Sequence, residues 1–387
     1  MRTATWSFCL PTLIFAFHGR GAAAETDVRY RFQSYHEEDG RIDVEAQYFR
    51  FDHLADTGFS IGIQYAHDAL AGATPIGTYD AANPNLWDYQ QIDDERDAIV
   101  VEAGQDFGDW SLALELSHSK ESDYISDGLA MKGMVELFEK NTVLTAGASV
   151  NGDKILSNGG TTIRNDREKD SFDLSFGLTQ IFDRHTFVDV NLGYGESHGY
   201  LSDPYRRISE TDTFTIAGIS FVDTISHPEN RPSHQSRGLA RIGVTRYLEP
   251  LHAAVEGSYR FYATSDSLEA HTFELRWNQE IIDQVTLSPF FRYYRQTAAE
   301  FYHPSLTGTA IDGHGRNNGV GPHYSSDYRL AALDSLSYGV QLRYEPVEGL
   351  SFDLQYEIYD MHGRDPRAPS SFFPDATVVS AGASWHF

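Results

Sequence analysis

A two-residue alternation of apolar and polar side chains recurs from Val28 to the end of this chain, and no stretch beyond residue 24 is apolar enough to cross a bilayer as a helix. Phe352, Leu354, Tyr356 and Ile358 interleave with Ser351, Asp353, Gln355 and Glu357. Phe273, Leu275 and Trp277 interleave with Glu274, Arg276 and Asn278, and Leu336 to Tyr344 repeat the pattern. Successive side chains of a strand point to opposite faces, so each such segment has one apolar face and one polar face. In a membrane such strands leave no unsatisfied backbone only when the sheet closes on itself.

The segments expected as strands are 27–36, 41–52, 58–68, 95–107, 109–119, 124–138, 142–152, 169–182, 185–198, 234–247, 251–263, 267–280, 284–297, 328–345, 350–362 and 375–387. They number about sixteen, and single-chain bacterial barrels have an even count. The connections alternate in length as an outer-membrane barrel requires. Tight ones (His53 to Thr57, Gly108, Glu139 to Asn141, Asp183 to Arg184, Leu248 to Pro250, Ile281 to Asp283, Pro346 to Gly349) fall on the presumed periplasmic side. Long ones rich in Gly, Pro, Asn and Asp (Ala69 to Asp94, Gly152 to Glu168, Gly199 to Ser233, Ala298 to Asp327, Gly363 to Pro374) fall on the extracellular side. Aromatics gather beside the tight turns, among them Phe51, Phe59, Phe107, Trp110, Phe138, Phe182, Phe187, Tyr247, Tyr344 and Phe352, as an interfacial girdle predicts. The fold class expected is therefore all-β: a transmembrane antiparallel outer-membrane β-barrel with long extracellular loops and short periplasmic turns.

Both ends agree. Arg2, the apolar run Trp6 to Phe17 and the small residues Ala22, Ala23 and Ala24 read as a cleaved signal peptide over residues 1–24, leaving a single barrel domain over 25–387. Cys9, the only cysteine, lies inside that signal, so the mature chain is expected to carry no disulfide and no thiolate site. Val379, Ala381, Ala383, Trp385 and Phe387 share a face of the last segment, a carboxy-terminal signature that barrel-assembly machinery reads. Acidic residues outnumber basic ones 56 to 30, for a formal charge of −26. That balance repels polyanions, so nucleic acid is excluded as a partner.

Two segments carry a family resemblance: Asp68 to Gly77, DALAGATPIG, and His198 to Arg206, HGYLSDPYR. They resemble an uncharacterised family of bacterial outer-membrane barrels known as domain of unknown function 3570, across essentially the whole mature chain. That resemblance implies the barrel fold. It also implies a setting near thioredoxin-like proteins, small lipoproteins and flavin-transferring proteins, and hence a periplasmic redox or metal-handling system and a lipoprotein or redox partner.

With parity set by the apolar face, the lumen is expected to receive Arg29, Arg31, Asp43, Glu45, Glu102, Glu115, Asp173, Asp189, Arg241, Glu256, Arg260, Glu274, Arg276, Arg292, Arg343, Asp353 and Glu357. These mixed charges either select a permeating solute or pair across the lumen and hold its walls. Gly72, Ala73, Thr74 and Pro75 read as a compact turn that packs inside the mouth as a plug or hinge, or contacts a ligand. Asp203 and Pro204 read as a turn, with His198, Tyr200 and Tyr205 anchoring at the outer interface or contacting a ligand.

His198, His227, His234, His303, His314 and His323 lie in or beside long loops, at spacings that fit no short ligand pair; metal binding by them stays open. Asp93, Asp94, Glu95 and Asp97 read as a solvated acidic rim close to lipopolysaccharide. The motifs of serine hydrolases, zinc proteases and P-loop enzymes do not occur in the sequence, so no catalytic residue and no cofactor is assigned. The function expected is a porin-like channel or conduit for a small solute. The alternative is a loop-plugged binding or assembly protein that docks a lipoprotein or secreted partner, with an outer-membrane hydrolase as a third class.

Overall fold

The computed structural model describes residues 24–80, 83–158, 160–313 and 317–387. The expected signal peptide, save Ala24, lies outside them. Sixteen antiparallel strands close into one barrel: β1 (Glu25–Glu37), β2 (Ile42–Leu54), β3 (Phe59–Asp80), β4 (Asn83–Asp106), β5 (Trp110–Lys120), β6 (Tyr124–Leu137), β7 (Thr142–Ile155), β8 (Arg167–Asp183), β9 (Thr186–Gly199), β12 (His234–Leu248), β13 (Ala253–Thr264), β14 (Glu269–Ile282), β15 (Val285–Gln296), β16 (Leu333–Val347), β17 (Leu350–Gly363) and β18 (Ala376–His386). β10 (Arg207–Ile216) and β11 (Ile219–Pro228) form a separate hairpin between β9 and β12.

The barrel closes where β1 pairs with β18, and Thr26 and Phe387 exchange backbone hydrogen bonds of 2.8 and 2.9 Å at the short-turn end. No sheet edge is left along the wall, which is what permits a sheet to cross hydrocarbon. Directly paired residues share a face, and the outward rows are apolar. Leu114 pairs with Ala103 and Leu116 with Val101, while Tyr344 pairs with Phe352, all on the outer surface. Near the short turns Phe107 stacks on Trp110 at 4.0 Å, and Trp385 lies 4.5 Å from Phe387, as an interfacial girdle requires. Phe187 and Tyr247 depart from that girdle: they lie on the inward rows of Asp189 in β9 and Arg241 in β12.

Four local expectations need correction. The connection Ala69 to Asp94 is largely strand, because β3 and β4 keep pairing from Ala69↔Glu95 up to Pro75↔Tyr89. Gly72 to Pro75 is accordingly not a turn but part of β3. Gly199 to Ser233 contains the β10–β11 hairpin, so it is not structureless. Finally, residues 328–332 precede β16 rather than opening it: Asp327 accepts a bond from the Arg329 amide and caps a single 3-10 turn, Tyr328–Leu330.

Asp43 and Glu45 are also misplaced by the sequence pattern. Their row continues through Phe49 and Phe51, which pair with Tyr30 and Val28 on the outer surface. Asp43 points out there and meets His36. The even row, Ile42, Val44, Ala46 and Tyr48, faces in, and Ile42 and Ala46 are buried. Apolar side chains signal the lipid face only where the interior is wet; here the inward row is itself buried at Ile42 and Ala46.

Two ion pairs in the wall step over a whole strand. Arg31 of β1 reaches Asp353 of β17 at 3.1 Å across β18, and Arg237 of β12 reaches Asp173 of β8 at 2.6 Å across β9. Each passes over a glycine. A Cβ on Gly382 would lie 2.4 Å from Asp353 Oδ1, and one on Gly195 would lie 2.1 Å from Asp173 Oδ1.

Candidate functional site

At the long-loop end the two motifs meet. Gly72 adopts φ +125°, where a Cβ would stand 1.9 Å from the Arg41 carbonyl oxygen, so only glycine lets β2 approach this closely. Ala73 N then donates to that carbonyl at 3.1 Å. In the second motif Asp203 Oδ1 accepts from Tyr205 N at 2.9 Å and its backbone oxygen accepts from Arg206 N at 3.2 Å, a turn with Pro204 in second position. That turn aims the buried Arg206 guanidinium at the first motif. It donates to the Pro75 carbonyl and, at 3.2 Å, to Thr74 Oγ1, and lies 5.6 Å from the Tyr328 ring centroid. Arg41 approaches the same ring at 5.7 Å.

Behind Arg206 lies a chain of buried charges. Arg206 Nε is 3.7 Å from Asp203 Oδ2, which Arg329 approaches at 3.2 Å. Arg329 Nε donates to Asp327 Oδ1 at 2.8 Å; Arg231 reaches Asp327 at 2.8 Å and Glu229 at 2.7 Å. Burial alone would push Asp327 up, but the guanidinium groups of Arg329, Arg206 and Arg231 hold it well below the usual carboxylate range. Glu229 is pushed up by burial and by its neighbours Asp203 and Asp327, against the pull of Arg231. Asn230 staples the same loops, exchanging 2.9 Å backbone bonds with Tyr324 while its amide donates to Val320 and Pro322 carbonyls at 2.7 and 2.9 Å.

An apolar cluster completes this cap. Phe301, Tyr302, Tyr328, Ala331, Phe372 and Phe373 from two loops pack with Leu268, Ala270 and Leu333 at the strand ends. The cap therefore has both an ionic and an apolar core, assembled from four connections.

Below it the wall is polar. Of the expected lumen residues, Arg29, Arg31, Glu102, Glu115, Asp173, Asp189, Arg241, Glu256, Arg260, Glu274, Arg276, Arg292, Arg343, Asp353 and Glu357 have the inward register, opposite to the apolar rows. Several pair along the wall: Arg241 with Asp189, Arg292 with Glu274 at 3.4 Å, and Arg29 with Asp27 at 3.2 Å. Arg31, Glu274 and Arg343 nevertheless keep 44, 48 and 57% side-chain exposure, so this part of the interior is open to water.

The other expected site residues scatter. Tyr200 is buried against Ile155 and Ile163, under Arg167, rather than at the membrane interface. Tyr205 donates a hydrogen bond from its hydroxyl to buried Asp123. The acidic stretch splits by parity: Asp94 turns toward Glu121 and Asp123, whereas Asp97 faces out and accepts from Tyr65 at 2.6 Å. His227 pairs with Glu210 at 3.1 Å, His323 with the Gly319 carbonyl, and His303 stays near Arg367; His314 lies outside the described residues. His198 and His234 come together on the outer wall, at 4.3 Å between ring centroids.

Sequence reasoning missed Glu229, Arg231, Asp327 and Arg329. Their signal was present: acid, one residue, arginine occurs at Glu229–Arg231 and again at Asp327–Arg329, each within a long loop.

The family model described as "Protein of unknown function (DUF3570)" matches residues 81–373. No curated protein matches the chain. Among solved structures the barrel is similar to OmpTdeltaL8, a loop-deletion mutant of OmpT, an outer membrane protein of Vibrio cholerae (8% identity, 94% of this chain and 99% of the other, TM-score 0.43). It is similar also to OccK2 (OpdF) of Pseudomonas aeruginosa in complex with glucuronate (8% identity, 94% and 98%, TM-score 0.43). A third is the ferric enterobactin receptor PfeA of Pseudomonas aeruginosa (10% identity, TM-score 0.44), of which this chain spans 60% while 94% of this chain is covered.

Proposed function

We propose, for a chain that belongs to the DUF3570 family of proteins of unknown function, a porin-like outer-membrane conduit for a small polar solute whose mouth is covered by a cap made of its own loops. The observation that carries this reading is the contrast between a water-exposed wall of arginines and carboxylates and the buried ionic cap above it. Mixed charges along a wet wall suit a polar solute of modest net charge and give neither a pure cation ring nor a pure anion ring. The reading is non-enzymatic. On the periplasmic side we propose a redox or metal-handling system, with its lipoprotein, as the beneficiary; in the membrane, lipid and lipopolysaccharide surround the wall.

Planar-bilayer recording of the purified barrel tests it. The expected result is small or intermittent conductance in the native chain and larger, sustained conductance when the cap is opened by Asp327→Asn. A barrel that is folded, by its heat-modifiable migration, and conducts in neither form would overturn the proposal.

One observation favours a second reading, the docking protein. The β10–β11 hairpin exposes Phe214, Ile216, Ile219 and Phe221, with the two phenylalanine rings stacked at 5.6 Å. Cross-linking in intact cells decides between them: a stoichiometric partner lost when residues 210–225 are deleted supports docking, and solute uptake unaffected by that deletion supports the conduit.

A further inference from the structure

β9 and β12 are 36 residues apart at their histidines, yet they are neighbours in the wall because the β10–β11 hairpin leaves the sheet between them. Their register places His198 directly opposite His234. Both have the outward parity of Leu192, Tyr194 and Ile242, and both stand at the long-loop ends of their strands, His198 next to last in β9 and His234 first in β12. The two imidazole rings lie 4.3 Å apart and 20° from parallel. Glu196, two residues back in the same row, brings Oε2 to 3.4 Å from His198 Nε2. One ligand atom from each of the three lies within 4.8 Å of the others.

The carboxylate is itself positioned. Tyr194 donates its hydroxyl to Glu196 Oε1 at 2.5 Å, which leaves Oε2 for the histidines. An outer hydrogen bond of this kind is what fixes a ligating carboxylate in built metal sites. On the other flank, Asp170 of β8 is in register with His198 and exposed on the same face. The three strands belong to one closed sheet, so the spacing of the donors is set by the barrel and does not depend on loop order.

We propose that Glu196, His198 and His234 bind a divalent transition-metal ion of the zinc, nickel or copper class on the outer wall of the barrel, at its long-loop rim. Two neutral imidazole nitrogens and one carboxylate oxygen suit these ions, whereas calcium and magnesium take oxygen donors almost alone. Water or Asp170 completes the coordination. The site is outside the lumen and does not depend on the conduit reading.

The test uses the full barrel, refolded in detergent and stripped with a chelator. Calorimetric titration with zinc chloride is expected to give one ion per chain, and cobalt chloride is expected to produce the visible absorption of a low-coordinate ion. His198→Ala and His234→Ala should each weaken zinc binding at least about 10- to 100-fold, with the cobalt spectrum lost. Both positions are outside the core, and heat-modifiable migration verifies that each variant is folded. Binding below one equivalent, or affinity and spectrum unchanged in either histidine variant, overturns the proposal. The conductance of the two variants should equal that of the native barrel, so failure of this site and failure of the conduit are read separately.

Discussion

Replacing Asp327 by Asn is the most direct way to ask whether the buried charges hold the cap. Asp327 is 1% exposed and serves Arg231 at 2.8 Å and Arg329 at 2.8 Å, besides capping the turn that follows it. The substitution keeps the volume but removes a carboxylate that Arg231 and Arg329 both grip. Removing one partner from a buried ion pair costs about 3–5 kcal/mol, because the remaining charge is stranded away from water. At about 1.4 kcal/mol per factor of ten, the open population of the cap rises roughly a hundred- to several-thousand-fold. Hydrogen exchange followed by mass spectrometry reads this directly, as lost protection in residues 321–333 with unchanged protection in β5 and β6. Glu229→Gln is the comparison: Glu229 is bridged to Arg231, whereas Asp327 is gripped by both Arg231 and Arg329, so the same measurement should change less. Equal protection in native and Asp327→Asn chains, or a larger loss in Glu229→Gln, would refute the argument.

Other outcomes follow from the same geometry. Gly72→Ala forces a side chain into φ +125° against the Arg41 carbonyl, costing roughly 1–3 kcal/mol from the backbone alone, and should expose residues 72–78 to exchange. Leu114→Arg on the lipid face should lower unfolding free energy in vesicles by about 2–4 kcal/mol, while Glu115→Gln on the opposite face should change it by less than about 1 kcal/mol. For pH, the depressed Asp327 contributes stability that is present above the ordinary aspartate range and lost only as pH falls through its lowered value. Glu229, raised, works the other way, its contribution fading as pH rises through its folded value. The cap should therefore open no more often at pH 5 than at pH 7 in bilayer recordings, and a rise in conductance across that window would contradict the role of Asp327 as its anchor.

The strands were legible because one physical rule governs them: a side chain facing hydrocarbon and one facing water alternate, as in β16 and β17. The rule misled at Asp43 and Glu45, where the inner row is buried inside the barrel and is apolar for a different reason. The glycine and proline of β3 signalled a turn locally, but Gly72 is needed for close approach by β2, and Pro75 lies where the β3–β4 ladder ends its regular pairing. The cap was illegible because its partners, Thr74, Arg206, Glu229 and Asp327, come from three connections whose meeting depends on barrel closure. His198 and His234 were each noticed, but only a sheet order that skips β10 and β11 makes them neighbours.

The arginine that crosses over Gly382 gives the finished barrel a clasp as well as a seam. Arg31 cannot grip Asp353 until the final strand lies between them, so that bridge forms only in a completed cylinder and not in any partly zipped precursor. A bulkier residue at position 382 would leave the hydrogen-bonded seam available while denying the clasp. Slower closure of the barrel on refolding in detergent, with β1 and β18 still paired once it has closed, is the behaviour such a chain should display.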